Sequence, residues 1–176
     1  MRAVFVGSGD WPYKEPIEKE LAHLPQDCVI VTGGSAHGVE GLSADLAREM
    51  GLRVHVELSD WSRHGRLARA MRNVKILDDA DAVYIFLSPP SDGRQMDGNA
   101  DYMVAMARQK EVPVHLFQLE GLKSSVSDEC DLNVIRTDFW PGHDPAQVVA
   151  GRIMRPAQVE DSEPPRPAVS RKGLGF

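Results

Sequence analysis

The stretch "VIVTGGSAHGVEGLSADLA", residues 29–47, contains the features that decide the fold. It begins with β-branched apolar residues, which favour a strand, and is then interrupted by Gly33 and Gly34. After Gly38 the apolar residues recur with helical spacing, and Gly51 follows where such a helix would end. A buried strand that enters a helix through a glycine turn is typical of α/β proteins.

The same alternation is repeated along the chain. Short apolar runs predict strands at 2–8, 28–33, 53–58, 82–88, 112–118 and 132–137. Helical spacing predicts helices at 14–24, 37–50, 63–79, 99–110 and 144–154. Most of the strand runs are almost continuously apolar, as expected for strands covered on both faces. We therefore expect an α/β fold with a single Rossmann-like domain over residues 1–154, built on a doubly wound, mostly parallel sheet.

Length and composition limit the class of protein. The chain has 176 residues, 42% hydrophobic and 26% charged, which is typical of one globular domain. No apolar run approaches the roughly 20 residues of a membrane span, and the first residues enter a strand pattern without a secretory signal. We expect a cytoplasmic protein with no membrane partner. Residues 155–176 are proline-rich and predict a disordered tail, with a partner-docking peptide as the alternative.

Charge and ligand-type residues narrow the partners further. The net charge of -6 argues against broad nucleic-acid binding, which depends on many basic residues, although a small anion needs only a local positive site. Cys28 and Cys130 make neither a disulfide framework nor a metal site, and no two of the six histidines have the spacing of metal ligands. We predict no metal and no cofactor.

The turn after the second predicted strand has the composition of an anion site. Gly33 and Gly34 allow backbone amides to face a ligand, Ser35 can cap the helix or donate, and the helix dipole adds positive charge. Glu40 can accept from ribose hydroxyls or can stabilise the helix dipole. His37 can reach a ligand or face solvent. In an open α/β sheet such turns lie at the carboxyl edge, where ligands bind.

The turn after the first predicted strand, "VGSGDW" at 6–11, is a second candidate. Gly7 and Gly9 permit close backbone approach, and Ser8 offers a hydroxyl, so the turn can cradle an anion. Alternatively it is a tight connection in which Asp10 caps the turn and Trp11 packs over it. Neither glycine turn matches the dinucleotide fingerprint or the P-loop, which disfavours an ordinary dehydrogenase or NTPase.

A local positive island follows the third predicted strand. Residues 63–72 carry four arginines and no acidic residue, in a chain of negative overall charge. Arginines three residues apart drift around a helix, so they cannot all face one ligand. We predict that Arg72, with Asn73, is the ligand-facing pair; a solvated helix face is the alternative for any single arginine.

Together, "GSGDW", "GGSAHGVEGLSADLA" and "DWSRHGRLARAMRN" resemble the YspA-related branch of the SLOG superfamily, a Rossmann-like group that includes LOG phosphoribohydrolases and DprA. The resemblance covers about residues 1–117. It implies a nucleotide or nucleotide-derived ligand at the glycine turns. The ligand-binding positions that the turns and the resemblance together predict are Gly7, Ser8, Gly9, Asp10, Trp11, Gly33, Gly34, Ser35, His37, Gly38, Glu40, Arg66, Arg72, Asn73, Gly98 and Asn99.

The sequence departs from that branch at three places. Gly9 stands where an arginine is usual, Glu40 replaces an aspartate, and "MDGNAD" at 96–101 replaces a G-G-T turn, leaving Gly98 and Asn99 as the nearest equivalents. LOG enzymes also carry a catalytic glutamate after their last glycine turn. Residues 88–103 contain no glutamate, and their carboxylates are Asp92, Asp97 and Asp101.

These observations favour binding or sensing of a nucleotide-like ligand. The alternative is an enzyme that cleaves or transfers at a nucleoside or nucleotide N-glycosidic bond, LOG-like or deoxyribosyltransferase-like, with Glu40, Asp97, Asp101 or Asp10 as its carboxylate. Single-strand binding like that of DprA is disfavoured by the net acidity. We also expect a homo-oligomer, since superfamily members commonly dimerise. Tyr102, Met103 and Met106 could supply its apolar face, or could pack in the monomer core.

Overall fold

The computed structural model describes residues 1–89, 98–119, 134–139 and 149–153, and only the backbone at 98–101 and 149–153. The strands are β1 (Arg2–Gly7), β2 (Val29–Thr32), β3 (Arg53–Val56), β4 (Ala82–Leu87), β5 (Val114–Leu119), β6 (Val134–Phe139) and β7 (Val149–Ile153). The helices are α1 (Glu15–Ala22), α2 (Gly38–Glu49), α3 (Trp61–His64), α4 (Ala68–Asp78) and α5 (Gly98–Gln109), with a 3₁₀ turn at Gly65–Leu67 between α3 and α4.

Within the described residues the strands form one seven-stranded sheet in the order β3-β2-β1-β4-β5-β6-β7. The first five strands pair in parallel, and β6 and β7 are antiparallel to their neighbours. Because β1 lies between β2 and β4, the winding direction reverses at β1. The predicted Rossmann-like, doubly wound and mostly parallel α/β fold is confirmed.

Two apolar layers cover the central strands, one on each face of the sheet. Side chains alternate along β1, so Ala3 and Phe5 join the layer that includes residues of α1 and α2. Val4 and Val6 join the opposite layer, which includes residues of α4 and α5. All six residues of β4 are buried. This two-sided burial is the reason that the central strands read as continuous apolar runs.

The C-terminal end of helix α2 is formed by backbone contacts that depend on glycine. At its end, the Gly51 N–H donates to the carbonyl of Arg48 and the Leu52 N–H donates to the carbonyl of Ala47, with Gly51 at a φ of 75°. This is a Schellman motif, in which glycine avoids the strain of the left-handed conformation. Gly51 therefore stops the helix as the sequence predicted.

Three predictions about local structure need correction or lie outside the described residues. The predicted helix at 144–154 is wrong, because Val149–Ile153 pairs as a strand with β6. Its β-branched residues and its glycine suit an edge strand better than a helix. The predicted helix at 63–79 is divided into α3, the 3₁₀ turn and α4. The predicted tail at 155–176 lies outside the described residues. None of the helices in the described ranges combines the length and apolar character of a membrane crossing.

Candidate functional site

The two glycine turns predicted from the sequence lie against each other at the carboxyl edge of the sheet. A Cβ on Gly38 would lie 2.3 Å from the carbonyl oxygen of Ser8 and 2.5 Å from the Cα of Gly9. The Ser8 carbonyl accepts from the backbone N–H of Val39, at 3.2 Å, and from that of Trp11, at 3.3 Å. Only a glycine at position 38, where φ is 64°, permits this contact between the turns.

The first turn is also fastened to the end of β4. The Ser8 N–H donates to the carbonyl of Phe86 at 2.9 Å, and the Ser8 hydroxyl accepts from the Ser88 N–H at 3.0 Å. A Cβ on Gly7 would lie 2.0 Å from the Phe86 carbonyl oxygen, so a larger residue cannot occupy this position. Backbone contacts thus join the first glycine turn to the end of β4, at the point where the winding direction of the sheet reverses.

A cleft of about 580 Å³ opens beside these turns, along the carboxyl ends of β1, β2 and β3. This volume is within the range of small-molecule sites. The residues that line it come from both glycine turns, from the segment after β3 and from α4. They are Gly7, Gly9, Gly33, Gly34, Ser35, His37, Glu40, Leu58, Ser59, Trp61, Arg69 and Arg72.

An arginine and a glutamate are paired beneath the second glycine turn. Nη1 of Arg72 lies 3.4 Å from Oε1 of Glu40, and their side chains are only 8% and 12% exposed. The other carboxylate oxygen of Glu40 accepts from the Ser35 N–H at 2.9 Å. A Cβ on Gly33 would lie 1.3 Å from Nη1 of Arg72. Gly33 therefore provides the space in which the Arg72 guanidinium lies under the turn.

The electrostatics of the cleft favour an anion. Two arginines line it, Arg69 and Arg72, against one carboxylate, Glu40, which leaves one formal positive charge when His37 is neutral. Nε of Arg72 is buried and has no hydrogen-bond partner among the described residues. A buried guanidinium ordinarily satisfies its N–H groups, so this cation has unused hydrogen-bonding capacity next to a cleft.

The Ser35 side chain is bonded to the main chain of His37, whereas no hydrogen bond of the His37 side chain is seen among the described residues. The Ser35 hydroxyl donates to the carbonyl of His37 at 3.0 Å and accepts from the His37 N–H at 3.3 Å. With the Ser35 N–H bonded to Glu40, the second turn is internally braced before any ligand arrives. A ligand would meet a preformed loop, which lowers the entropic cost of binding.

Eight of the predicted ligand-binding residues line the cleft, and six others within the described part of the chain do not. Gly7, Gly9, Gly33, Gly34, Ser35, His37, Glu40 and Arg72 line it. The predicted residues that do not line it are Ser8, Asp10, Trp11, Gly38, Arg66 and Asn73. Ser8 and Gly38 instead make the contact that joins the turns, Asn73 is buried, and Asp10 and Arg66 are exposed elsewhere.

Trp11 belongs to the hydrophobic core. Its ring centroid lies 5.4 Å from that of Phe86, and its indole N–H donates to the carbonyl of Tyr13 at 2.7 Å. This is the packing role that the sequence offered as the alternative to ligand contact.

The last predicted turn is only partly within reach of the structure. Gly98, Asn99 and Asp101 belong to the first turn of α5, where the backbone alone is described. Asp97 and Asp92 lie outside the described residues. Met103 of the same helix is buried in the core. Of the two roles predicted for this side chain, an oligomer face or the monomer core, the structure shows the second.

Four lining residues were not among the predicted ligand-binding positions: Leu58, Ser59, Trp61 and Arg69. Three of them directly follow β3, which pairs with β2 in parallel. Once β3 is recognised as a parallel neighbour of β2, its carboxyl end is expected at the same edge as the glycine turns. The positions of these three residues were therefore predictable from the sequence, whereas the predicted ligand-facing pair, Arg72 with Asn73, came from the arginine-rich segment that follows.

No known protein-family model matches the sequence, and no curated protein matches it significantly. Within the described residues, no group of three or more histidine, cysteine, aspartate or glutamate side chains is arranged to hold a metal ion.

Proposed function

We propose that the protein binds a nucleotide or nucleotide-derived anion in this cleft and carries out no chemistry on it. The observation that carries the proposal is the Arg72 guanidinium, which lines the cleft and makes one long contact with Glu40 among the described residues. A phosphate oxygen in the cleft would give the guanidinium of Arg72 a second anionic partner where the residue lines the cleft, and hydrogen bonds to charged groups are the stronger kind.

The main chain of the turns adds to this positive site. Gly9, Gly33 and Gly34 line the cleft without side chains that would keep a ligand away from the backbone. Helix α2 begins at Gly38, next to the turn, and the positive end of its dipole favours negative charge there. The motif resemblance to the YspA-related branch of the SLOG superfamily supports the same class of ligand.

Binding without chemistry is favoured by the state of the one carboxylate in the lining. Among the described residues that line the cleft, Glu40 alone is acidic, and its two oxygens are engaged by Arg72 and by the Ser35 N–H. Each carboxylate oxygen can accept a further hydrogen bond, but the side chain is only 12% exposed and both oxygens already tie it to the loop and to the arginine. Glu40 therefore braces the loop and orients the arginine.

A thermal-shift screen tests the proposal most directly. AMP, ADP-ribose, cyclic AMP and inorganic phosphate are added separately, and any ligand that binds the folded state raises its midpoint by mass action. Calorimetry then gives the affinity of each positive compound. We expect a shift with at least one nucleotide, and no shift with any of the four would contradict the proposal. Release of free base from nucleoside monophosphates would show that chemistry follows binding.

A charge-matched pair of variants at Gly9 tests where the anion lies. A Cβ at this position meets nothing within 4 Å, so Gly9→Glu and Gly9→Gln should both fold. The two side chains have nearly the same volume and differ in charge. We expect Gly9→Glu to weaken binding of the best nucleotide by roughly 10-fold more than Gly9→Gln, because a carboxylate repels the phosphate.

Calorimetry measures both affinities, and unfolding curves confirm that both variants are as stable as the wild type. Equal affinities in the two variants would place the ligand's charge away from the first glycine turn.

A further inference from the structure

Trp61 is the large aromatic side chain on the rim of the cleft. It is the first residue of α3 and is 54% exposed, although tryptophan is usually mostly buried. The neighbouring lining residue Leu58 is also exposed. Trp61 and Leu58 thus bring exposed apolar surface to the cleft next to the second glycine turn, where a Cβ on Gly34 would lie 2.6 Å from Cδ2 of Leu58.

The surroundings of Trp61 leave much of its ring accessible. The guanidinium carbon of Arg69 lies 5.8 Å from the ring centroid, a cation–π arrangement. The carboxylate of Asp60 accepts from the Ser62 hydroxyl at 2.6 Å and from the Arg63 N–H at 3.0 Å, and so caps α3, which begins at Trp61. These hydrogen bonds, that of Ser62 first, lower the pKa of Asp60. The cap orders the backbone that carries the ring, and the ring itself is 54% exposed.

We propose that Trp61 is the stacking platform for the base of the bound nucleotide, a role that rests on the proposed function. A ligand with a negative group at one end and a flat ring at the other matches a cleft that combines the cation of Arg72 with the exposed ring of Trp61. The phosphate lies at the glycine turns and Arg72, and the ring lies on Trp61 beside Leu58. The cleft then binds nucleotides more tightly than sugar phosphates, because only nucleotides have an aromatic base that can stack.

The test compares ligands that differ only in the base. Calorimetry measures the affinity of AMP, GMP, CMP and UMP, and of ribose 5-phosphate, for the wild type and for Trp61→Ala. We expect the wild type to bind at least one nucleotide more tightly than the sugar phosphate. Trp61→Ala should lose roughly 5- to 150-fold in affinity for that nucleotide and keep its affinity for ribose 5-phosphate. Trp61→Phe should lose less, because it retains a smaller aromatic face.

Leu67→Ala is the matched control. Leu67 is an exposed apolar residue of the neighbouring 3₁₀ turn and does not line the cleft, so its truncation should leave all affinities unchanged. Tryptophan fluorescence gives a second readout. Stacking of a base on Trp61 should quench the emission, and this quenching should be absent in Trp61→Phe.

Three results would overturn the stacking role while leaving the proposed function intact. They are an unchanged nucleotide affinity in Trp61→Ala, an equal loss of affinity for nucleotide and ribose 5-phosphate, and a loss accompanied by a change of oligomeric state in size-exclusion chromatography. The last would mean that a second copy covers the ring. If the wild type binds none of the five compounds and none of those in the thermal-shift screen, the proposed function itself fails, and the stacking role with it. If it binds only ADP-ribose or cyclic AMP, the same comparison with Trp61→Ala is made on that compound.

Discussion

Arg136 and Arg72 are both held against carboxylates, at opposite ends of the sheet, and they differ in how completely their hydrogen bonds are satisfied. Arg136, on β6, contacts two acidic residues. Its Nε lies 2.9 Å from Oδ1 and 3.1 Å from Oδ2 of Asp138, and its Nη1 lies 3.2 Å from Oε1 and 3.4 Å from Oε2 of Glu20. The guanidinium also covers the ring of Phe117 at 5.5 Å. This arginine joins α1 to the antiparallel end of the sheet.

Arg72 has fewer partners although it is more deeply buried. Its side chain is 8% exposed and makes a single contact of 3.4 Å with Glu40 among the described residues, whereas that of Arg136 is 32% exposed and has five contacts of 2.9–3.4 Å with Asp138, Glu20 and His115. Burial alone would rank Arg72 as the more structural residue. The number of hydrogen-bond partners ranks Arg136 as the more structural of the two. A buried cation with unused donors is costly unless another group satisfies them. The comparison therefore supports a stabilising role for Arg136 and the proposal that Arg72 contacts the ligand.

Replacing Arg136 should cost the most stability. Arg136→Met removes the cation that contacts Glu20 among the described residues and leaves a carboxylate whose side chain is only 6% exposed. We expect a loss of about 2–3 kcal/mol in the free energy of unfolding, less than for a fully buried pair because Arg136 is partly exposed. Urea unfolding measures the loss, and nucleotide affinity should not change.

The double variant Glu20→Met with Arg136→Met serves as the control for this reading. Removing both charges should recover much of the lost stability, since a buried carboxylate is no longer left without a cation. If the double variant is less stable than Arg136→Met, the loss comes from packing rather than from the ion pair.

Replacing Arg72 should have the opposite signature. Arg72→Met removes a guanidinium with one contact of 3.4 Å and leaves Glu40, 12% exposed, still held by the Ser35 N–H, so the free energy of unfolding should fall by about 1–2 kcal/mol, less than in Arg136→Met. Binding of the best nucleotide from the screen should weaken by roughly 10- to 100-fold, the value of a hydrogen bond to a charged group. Calorimetry and urea unfolding of the same sample measure both quantities.

Arg72→Lys keeps the charge without the planar donors and should retain part of the affinity. A stability loss in Arg72→Met as large as that in Arg136→Met, with unchanged affinity, would erase the distinction between the two arginines.

Local sequence signals predicted the parallel part of the fold and the position of the glycine turns. Continuous apolar runs, helical spacing and the stop at Gly51 depend on neighbours within a few residues. The five parallel strands, three of the helices and the stop at Gly51 appear where they were predicted, whereas the helix predicted at 63–79 is divided. The edge strand β7 was not predicted, because pairing with β6 is a long-range contact that outweighs a weak helical spacing.

The site was harder to predict for the same physical reason. The sequence predicted Glu40 and Arg72 as two separate ligand-binding residues. Their contact joins residues 32 positions apart, and through it Glu40, predicted as an acceptor from ribose hydroxyls, becomes a brace for the loop. Trp11 and Trp61 illustrate the other difficulty. Both follow an aspartate near the end of a strand, and only the packed structure shows that the first is buried and the second exposed.

The third test uses Tyr84, which belongs to the Arg136 end of the molecule. Its ring stacks on Phe5 at 4.6 Å and on His115 at 4.7 Å. Burial, with the nearby charge of Glu20, raises the pKa of Tyr84 to about 12. In the unfolded chain a tyrosine has a pKa of about 10. Between these values the unfolded state releases a proton that the folded state retains, so the free energy of unfolding falls as the pH rises.

Tyr84→Phe should remove this contribution to the alkaline loss of stability. The stability difference, wild type minus variant, should be constant from about pH 7 to pH 9 and then fall by about 1–2 kcal/mol towards pH 12, where other titrating groups contribute equally to both proteins. Urea unfolding at each pH measures the difference, and tyrosinate absorbance of the folded protein should lose a late-titrating step in the variant. A difference that stays constant through this range would mean that water reaches the Tyr84 hydroxyl. Water would then reach the Arg136 end of the sheet as it reaches the cleft. The two arginines would differ only in their number of hydrogen-bond partners and not in the exclusion of water around them.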